Sequence, residues 1–226
     1  VEQLPYASLD GIWLYRLEVL GIYIFLLLFL YYLKTRRFRN LVVCFSCLLC
    51  LGIYHTVMRW YDRPCPSLVF YNVRGCPAIH CIAEDGTSWL NYADTLSDKR
   101  RLQAVAANYW RRHQLLPPIE VTADCQNVDF CRHQQIVFYH GCRICMVTDN
   151  RWRNKSAASP LFINYMYLCK GYNGRLEELT GLFSPSCILL DASLSDDRKQ
   201  FFREECKRLH LHFITLSEEG SVRFLL

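Results

Sequence analysis

Two long apolar runs stand at the start of the chain, and the pattern then changes to short alternations. Residues 17–33 are interrupted by one charge, Glu18, and residues 41–57 carry no Asp, Glu, Lys or Arg. A helix needs ~20 apolar residues to cross a hydrocarbon core of ~30 Å, so the runs predict a transmembrane hairpin with helices over about 17–33 and 41–57. Trp13, Tyr31, Tyr32, Trp60 and Tyr61 stand at the ends of the runs, where amphipathic rings favour the membrane boundary. Cys44, Ser46, Cys47, Cys50 and Gly52 are small enough to let another membrane helix approach closely.

From Pro64 onward the chain reads as one globular domain, residues 64–226, long enough to bury a core. Ser67–Val73 is a predicted strand. Ala78–Ala83 and Ser88–Tyr92 flank Glu84-Asp85-Gly86-Thr87, a hairpin signal. Asp98–His113 has a helical stripe of Leu102, Val105, Ala106 and Tyr109, capped by Ser97 and ended before Pro117-Pro118. Ile119–Thr122, Gln135–Tyr139, Cys142–Thr148 and Ile163–Leu168 read as extended, with a polar loop at Asn150–Pro160. Arg175–Phe183 is a short predicted helix, and Ile188–Leu190 a buried strand ending at Asp191. Ser195 caps a helix reaching Leu209, with Asp196 and Asp197 in its first turn. His212–Leu216 and Val222–Leu225 are predicted to close the chain as a hairpin. This order predicts an α/β sandwich with sheets inside and helices outside.

Charge orients the hairpin. Lys34, Arg36, Arg37 and Arg39 fill the connection between the runs, and the positive-inside rule assigns that connection to the cytoplasm. The domain after Arg59 is then expected outside it. No cleavable signal pattern is visible, and the chain opens on Val1, so it reads as the C-terminal part of a longer membrane protein. A net charge of +5 permits nucleic acid or anionic lipid as a partner and demands neither.

Of the thirteen cysteines, Cys81, Cys145, Cys169 and Cys187 fall in predicted strands, where they act as small apolar residues. Cys142-Arg-Ile-Cys145 has CxxC spacing without a second metal-binding pair, which argues against a zinc ribbon. Cys125–Cys131 is a candidate disulfide.

Leu4-Pro5-Tyr6, the apolar hairpin, the segment Tyr71-Asn72-Val73-Arg74-Gly75-Cys76-Pro77-Ala78-Ile79, the turn Glu84–Tyr92, the segment Tyr167-Leu168-Cys169-Lys170-Gly171-Tyr172 and the ending Thr215–Phe224 together resemble ComEC-type competence proteins. The resemblance covers nearly the whole chain. It implies the end of the membrane channel region followed by a metallo-β-lactamase-like αββα sandwich. It further implies a bacterial inner-membrane protein of DNA uptake, multi-pass, with its C-terminal domain extracytoplasmic. Membrane lipid, the rest of the channel protein and single-stranded DNA are the implied partners.

The domain of that family is implicated in degrading one DNA strand, which needs His and Asp ligands around metal-bound water. Here the opening Asp of the family is Asn72, the region of its His-x-His-x-Asp-His signature reads Asp94-Thr95-Leu96-Ser97-Asp98-Lys99-Arg100-Arg101, and its His-His-Gly reads Cys169-Lys170-Gly171. The sandwich is therefore expected to be degenerate, with no catalytic or metal residues and no cofactor, and to guide or hold DNA at the channel mouth or support the channel structurally. A hydrolase built on Asp191, Asp94 and Asp149 is the alternative, and an interaction module without a DNA role is a third reading. Asp191 fits an Asx turn into Ala192-Ser193 better than a ligand, and His80 a satisfied strand histidine. His210-Leu211-His212 puts two imidazoles on one face of an extended segment. The candidate DNA-contacting residues are Lys99, Arg100, Arg101, Arg111 and Arg112 around the first soluble helix, and Arg151, Arg153, Lys155, Lys170 and Arg175 after the central strands. Trp110 and Trp152 stand among them as candidate stacking rings.

Overall fold

A computed structural model describes residues 14–93, 99–127 and 129–226. The expectations placed on Leu4-Pro5-Tyr6, Trp13, Asp94 and Ser97 lie outside those residues. The chain forms two compact units. One is built on the apolar helices together with Tyr109–Gln114, the other on Pro64–Asn108 and Leu115–Leu226.

In the first unit, α1 (Arg16–Thr35) and α2 (Phe38–Tyr61) are both long and apolar enough to cross a membrane. Each runs a few residues beyond the apolar stretch, because the helices continue into their basic and aromatic flanks. Arg36 takes a left-handed conformation and its N–H closes α1 on the Tyr32 carbonyl, so Arg36 and Arg37 alone connect the helices. Most apolar side chains of the pair face outward. Glu18, the charge inside the first run, is buried because it caps the helix: its carboxylate accepts from the Tyr15 N–H at 2.9 Å and lies 2.7 Å from His55 Nδ1 on α2. The Tyr15 hydroxyl donates to Asp62 at 2.7 Å. These polar contacts tie the start of α1 to the end of α2.

The second unit begins with β1 (Ser67–Phe70), β2 (Ala78–Ile82) and β3 (Ser88–Tyr92), followed by α3 (Lys99–Arg112) and β4 (Ile119–Val121). Next come β5 (Cys125–Gln126), β6 (Phe130–His133), β7 (Ile136–Tyr139), β8 (Cys142–Val147) and β9 (Leu161–Leu168). The chain closes with α4 (Leu176–Thr180), β10 (Phe183–Leu190), α5 (Asp196–Arg208), β11 (Phe213–Thr215), α6 (Leu216–Glu219) and β12 (Val222–Leu225). One sheet has the order β12-β1-β2-β3-β4 and the other β11-β10-β9-β8-β7-β6-β5. Strands β8 to β11 are mutually parallel, so β8, β9 and β10 all end at one edge.

The two sheets face each other across a core that includes Leu68, Phe70, Ile79, Cys81 and Trp89 from the first and Val137, Ile144, Tyr167 and Leu189 from the second. Alternation sends Cys145, Val147, Met166, Leu168, Ile188 and Leu190 to the opposite face, where Leu176 and Leu179 of α4 and Phe202 and Cys206 of α5 cover them. On the first sheet, α3 buries Leu102 and Ala106, and Lys99 at its start sits 4.9 Å from the Tyr92 ring centre and 2.5 Å from Glu120 of β4. The unit is thus a mixed α/β structure with two sheets inside.

Several expectations are corrected. The predicted closing hairpin does not form: β11 joins the second sheet parallel to β10, and β12 crosses to pair antiparallel with β1. Between them α6 carries Leu216 into the core between the sheets, an apolar gain that a hairpin would forfeit. The helix expected over Arg175–Phe183 stops at Thr180, because Phe183 already starts an eight-residue β10 beside β9. Cys125 and Cys131 are free: Cys125 lies opposite Arg132 and Cys131 opposite Gln126, so alternation turns the two thiols to opposite faces. Cys142 and Cys145 likewise pack on opposite sides of β8.

Candidate functional site

The parallel strands deliver three loops to one edge of the second sheet. They are residues 148–160 after β8, 169–175 after β9 and 191–195 after β10. The loops are tied together: the Asn173 N–H donates to Asn150 Oδ1 at 2.8 Å, and the Lys170 N–H to Ser193 Oγ at 3.1 Å. Gly171 has φ +119, and a Cβ there would collide with the Thr148 carbonyl, so glycine is what lets the first two loops close up. Carboxyl edges of parallel strands are where open α/β sheets gather their ligand-binding loops.

Asp191, at the end of β10, is fully buried. The Tyr167 hydroxyl donates to one carboxylate oxygen, and the Ser193 N–H donates to the other at 2.6 Å, closing an Asx turn. Burial pushes the Asp191 carboxyl above its usual range, although these donors pull it back. Burial, with the Asp191 charge beside it, raises the Tyr167 hydroxyl and the Cys169 thiol well above their ordinary values.

A metal does not fit this arrangement. Both Asp191 oxygens are already engaged by donors, Cys169 is a buried thiol, and Asn72 offers a carboxamide in place of a carboxylate. Asp149 is buttressed by Arg151, whose guanidinium forks onto it at 2.8–3.0 Å. Burial raises the Asp149 carboxyl, but the hydrogen bonds from Arg151 outweigh this and hold it below its usual value. Among the described residues no group of three or more His, Cys, Asp or Glu is placed to hold a metal ion. Asp94 lies outside them.

The other singled-out histidines have separate roles. His80 is buried with Nδ1 2.8 Å from the Tyr71 hydroxyl, and burial pushes its pKa down to about 3, so it is neutral. His210 takes a left-handed conformation, which breaks the extended segment expected for His210 and His212. His212 instead lies 3.1 Å from the Cys187 sulfur.

The ten basic candidates divide into two groups. Arg151, Arg153, Lys155, Lys170 and Arg175 share the loop edge. All five are exposed, although Arg151 pairs with Asp149 and Arg153 with Glu178 at 3.5 Å. Lys99, Arg100, Arg101, Arg111 and Arg112 lie on α3 instead. There Lys99 is held by Glu120, and Arg112 pairs with Asp62 at 3.3 Å within the first unit. Trp152 is not a free stacking ring. Its indole packs edge-on against Phe183 at 5.0 Å and its N–H donates to Gln135 at 2.5 Å, anchoring the loop. Lys155 reaches across its face at 5.5 Å.

Beside the loops lies a cleft of about 380 Å³, lined by Asn72, Arg74, Ser195, Asp196, Lys199 and Ser217 with Ala192 and Leu194 beneath. It brings the end of β1 to the start of α5. The sequence reading missed Arg74 and Lys199 as neighbours of the loop edge. Only the presence of Arg74 in the segment occupying the family's opening motif could have signalled the first, and nothing local signalled the second.

No curated protein and no solved structure matched the chain. A family model, described as the ComEC C-terminal domain, matches residues 68–226, which takes in nearly all of the second unit together with Tyr109–Gln114. The chain therefore belongs to the ComEC C-terminal domain family, a membrane-associated family that ties it to competence and DNA uptake.

Proposed function

We propose that this chain holds or guides single-stranded DNA at the outward face of the inner membrane, on a degenerate metallo-β-lactamase-like αββα sandwich that lacks hydrolytic chemistry. The observation that carries this reading is the state of Asp191: the best-placed carboxylate at the family's metal edge is saturated by Tyr167 and Ser193. The edge keeps the charge for phosphates without the ligands for hydrolysis. Lys155, Lys170 and Arg175 stand exposed there, with Arg74 in the adjoining cleft, where Lys199 is held by Asp196 at 3.2 Å. Outward placement is supported by Lys34, Arg36, Arg37 and Arg39 at the connection between α1 and α2. The hairpin itself would join the remaining channel helices through its exposed apolar faces.

The test is a salt titration of the full chain in detergent micelles with a fluorescent single-stranded oligonucleotide. Affinity should fall steeply with salt. Replacing Lys155, Lys170 and Arg175 by Gln should flatten the log–log slope by about 2, since each phosphate contact on a single strand contributes ~0.7. Lys99→Gln should leave the slope unchanged, because its ammonium is already held by Glu120. Salt-independent binding, or equal losses from the two sets, would contradict the assignment and favour an interaction module without a DNA role.

A further inference from the structure

The end of the sandwich opposite the loop edge carries an unusual surface. Eight large apolar side chains stand exposed among the described residues of the second unit, and seven of them gather at the end where the chain enters from α2. Their placement follows from register. Leu225 lies opposite Ser67, the first residue of β1, and the Leu226 N–H donates to the Pro66 carbonyl at 3.0 Å. Ser67 also pairs with Ile82, whose hairpin returns through Gly86 to Ser88. Leu116 donates its N–H to the Gly86 carbonyl, and Ile119 lies opposite Trp89, next to Ser88. On the facing sheet the Tyr139 hydroxyl donates to the Ile82 carbonyl at 2.6 Å, which brings Phe138 to the same end. Phe138 lies opposite Arg143, and the Arg143 guanidinium reaches the Phe162 carbonyl at 3.5 Å, with Leu161 adjacent. The eighth residue, Val105, is on α3.

The tether identifies what covers this rim. Five residues separate the end of α2 at Tyr61 from Ser67, and two of them are Pro64 and Pro66. Five residues reach at most ~17 Å, and the prolines stiffen them. If α2 spans the bilayer, the rim is confined to the headgroup zone, where an exposed apolar surface of Leu, Ile and Phe meets lipid first. We infer that the rim of Leu116, Ile119, Phe138, Leu161, Phe162, Leu225 and Leu226 seats the domain on the lipid interface. The basic loop edge then points away from the membrane, toward incoming polymer. Arg143, opposite Phe138 and bonded to the Phe162 carbonyl, suits the headgroup level, where cations snorkel and rings anchor. Glu84 and Asp85 at the nearby hairpin tip make the attraction apolar rather than a response to anionic lipid. The inference rests on the hairpin spanning the membrane.

The test uses the full chain in nanodiscs of phosphatidylcholine with brominated acyl chains. A fluorescent amino acid replaces, one at a time, Leu49 in α2, Phe162 and Leu225 in the rim, and Arg153 at the loop edge. Phe162 is 52% and Leu225 69% exposed, so neither replacement disturbs the core. An interfacial side chain buries ~5–10 Å into the headgroup–acyl boundary, so roughly twofold quenching is expected at Phe162 and Leu225, with stronger quenching at Leu49. No quenching is expected at Arg153. Quenching at Leu49 with none at Phe162 and Leu225 would overturn the seat while leaving the hairpin intact. Equal quenching at Arg153 would overturn the assigned end. Absence of quenching at Leu49 would remove the hairpin, and the seat with it.

Discussion

Tyr167→Phe isolates the bond that distinguishes a structural Asp191 from a ligand-binding one. The substitution removes only the hydroxyl, and the ring keeps its edge-on contact with Phe70 at 5.3 Å. Asp191 is left fully buried with Ser193 and the Ala192 N–H as its remaining donors. A hydrogen bond to a charged group contributes about 1.5–3 kcal/mol. A loss of about 2 kcal/mol lowers the unfolding midpoint of a domain of this size by about 4–8 °C. Asp191→Asn keeps an oxygen for Tyr167 but turns an amide toward the Ser193 N–H, and it no longer buries a charge. The double substitution should cost less than the sum of the two by about 1 kcal/mol, the mark of direct coupling.

The pH dependence has a definite sign. The folded-state pKa of Asp191 is raised by burial, so its protonation favours the folded state. That contribution is fully present below the unfolded carboxylate value of ~3.9 and is lost as pH rises through the folded value. The wild-type chain should therefore lose stability relative to Asp191→Asn as pH rises across that window. Thermal unfolding of the full chain in detergent, followed by tryptophan fluorescence, reads both effects. Trp89, stacked on Phe130 at 5.5 Å, reports the core. A midpoint unmoved by Tyr167→Phe, together with a flat pH difference, would mean that Asp191 is not held by Tyr167 and is available to a ligand.

Other substitutions follow from the same geometry. Gly171→Ala must relieve both a positive φ and a collision with the Thr148 carbonyl, and should cost about 2–3 kcal/mol in thermal unfolding while weakening DNA binding through a displaced Lys170 loop. Trp152→Ala removes an anchoring ring, and should destabilise by about 2 kcal/mol without changing the salt slope of DNA affinity. His80 is buried neutral with its pKa pushed down to about 3, so its stabilising contribution is present above the unfolded value of ~6.5 and declines as pH falls toward that folded value. His80→Gln should reduce this acid sensitivity in a pH series of unfolding midpoints.

The hairpin and most strands were legible because their signals are local. Apolar length marked α1 and α2, and Asp85-Gly86 marked the β2–β3 turn, where the Asp85 carboxylate accepts from Thr87. Asp191 was legible as a strand-ending residue suited to an Asx turn, but its bond to Tyr167 joins two strands and has no local sign. The fate of the C-terminus was hidden for a similar reason. Phe213–Thr215 and Val222–Leu225 alternate like partners, yet each finds a deeper apolar neighbour in a different sheet. Strands β5 and β6 escaped notice because they are short and mostly polar. The basic residues were readable as a set, but their division between α3 and the loop edge depends on tertiary folding, as does the anchoring of Trp152.

The proposed domain binds DNA without cutting it. The most direct measurement incubates the full chain with end-labelled single- and double-stranded DNA in manganese or zinc, against a chelator control. Intact strands are expected in every lane, with salt-sensitive retention of the single strand. Cleavage that the chelator abolishes would contradict this, and its loss in Asp191→Ala would make Asp191 a working ligand.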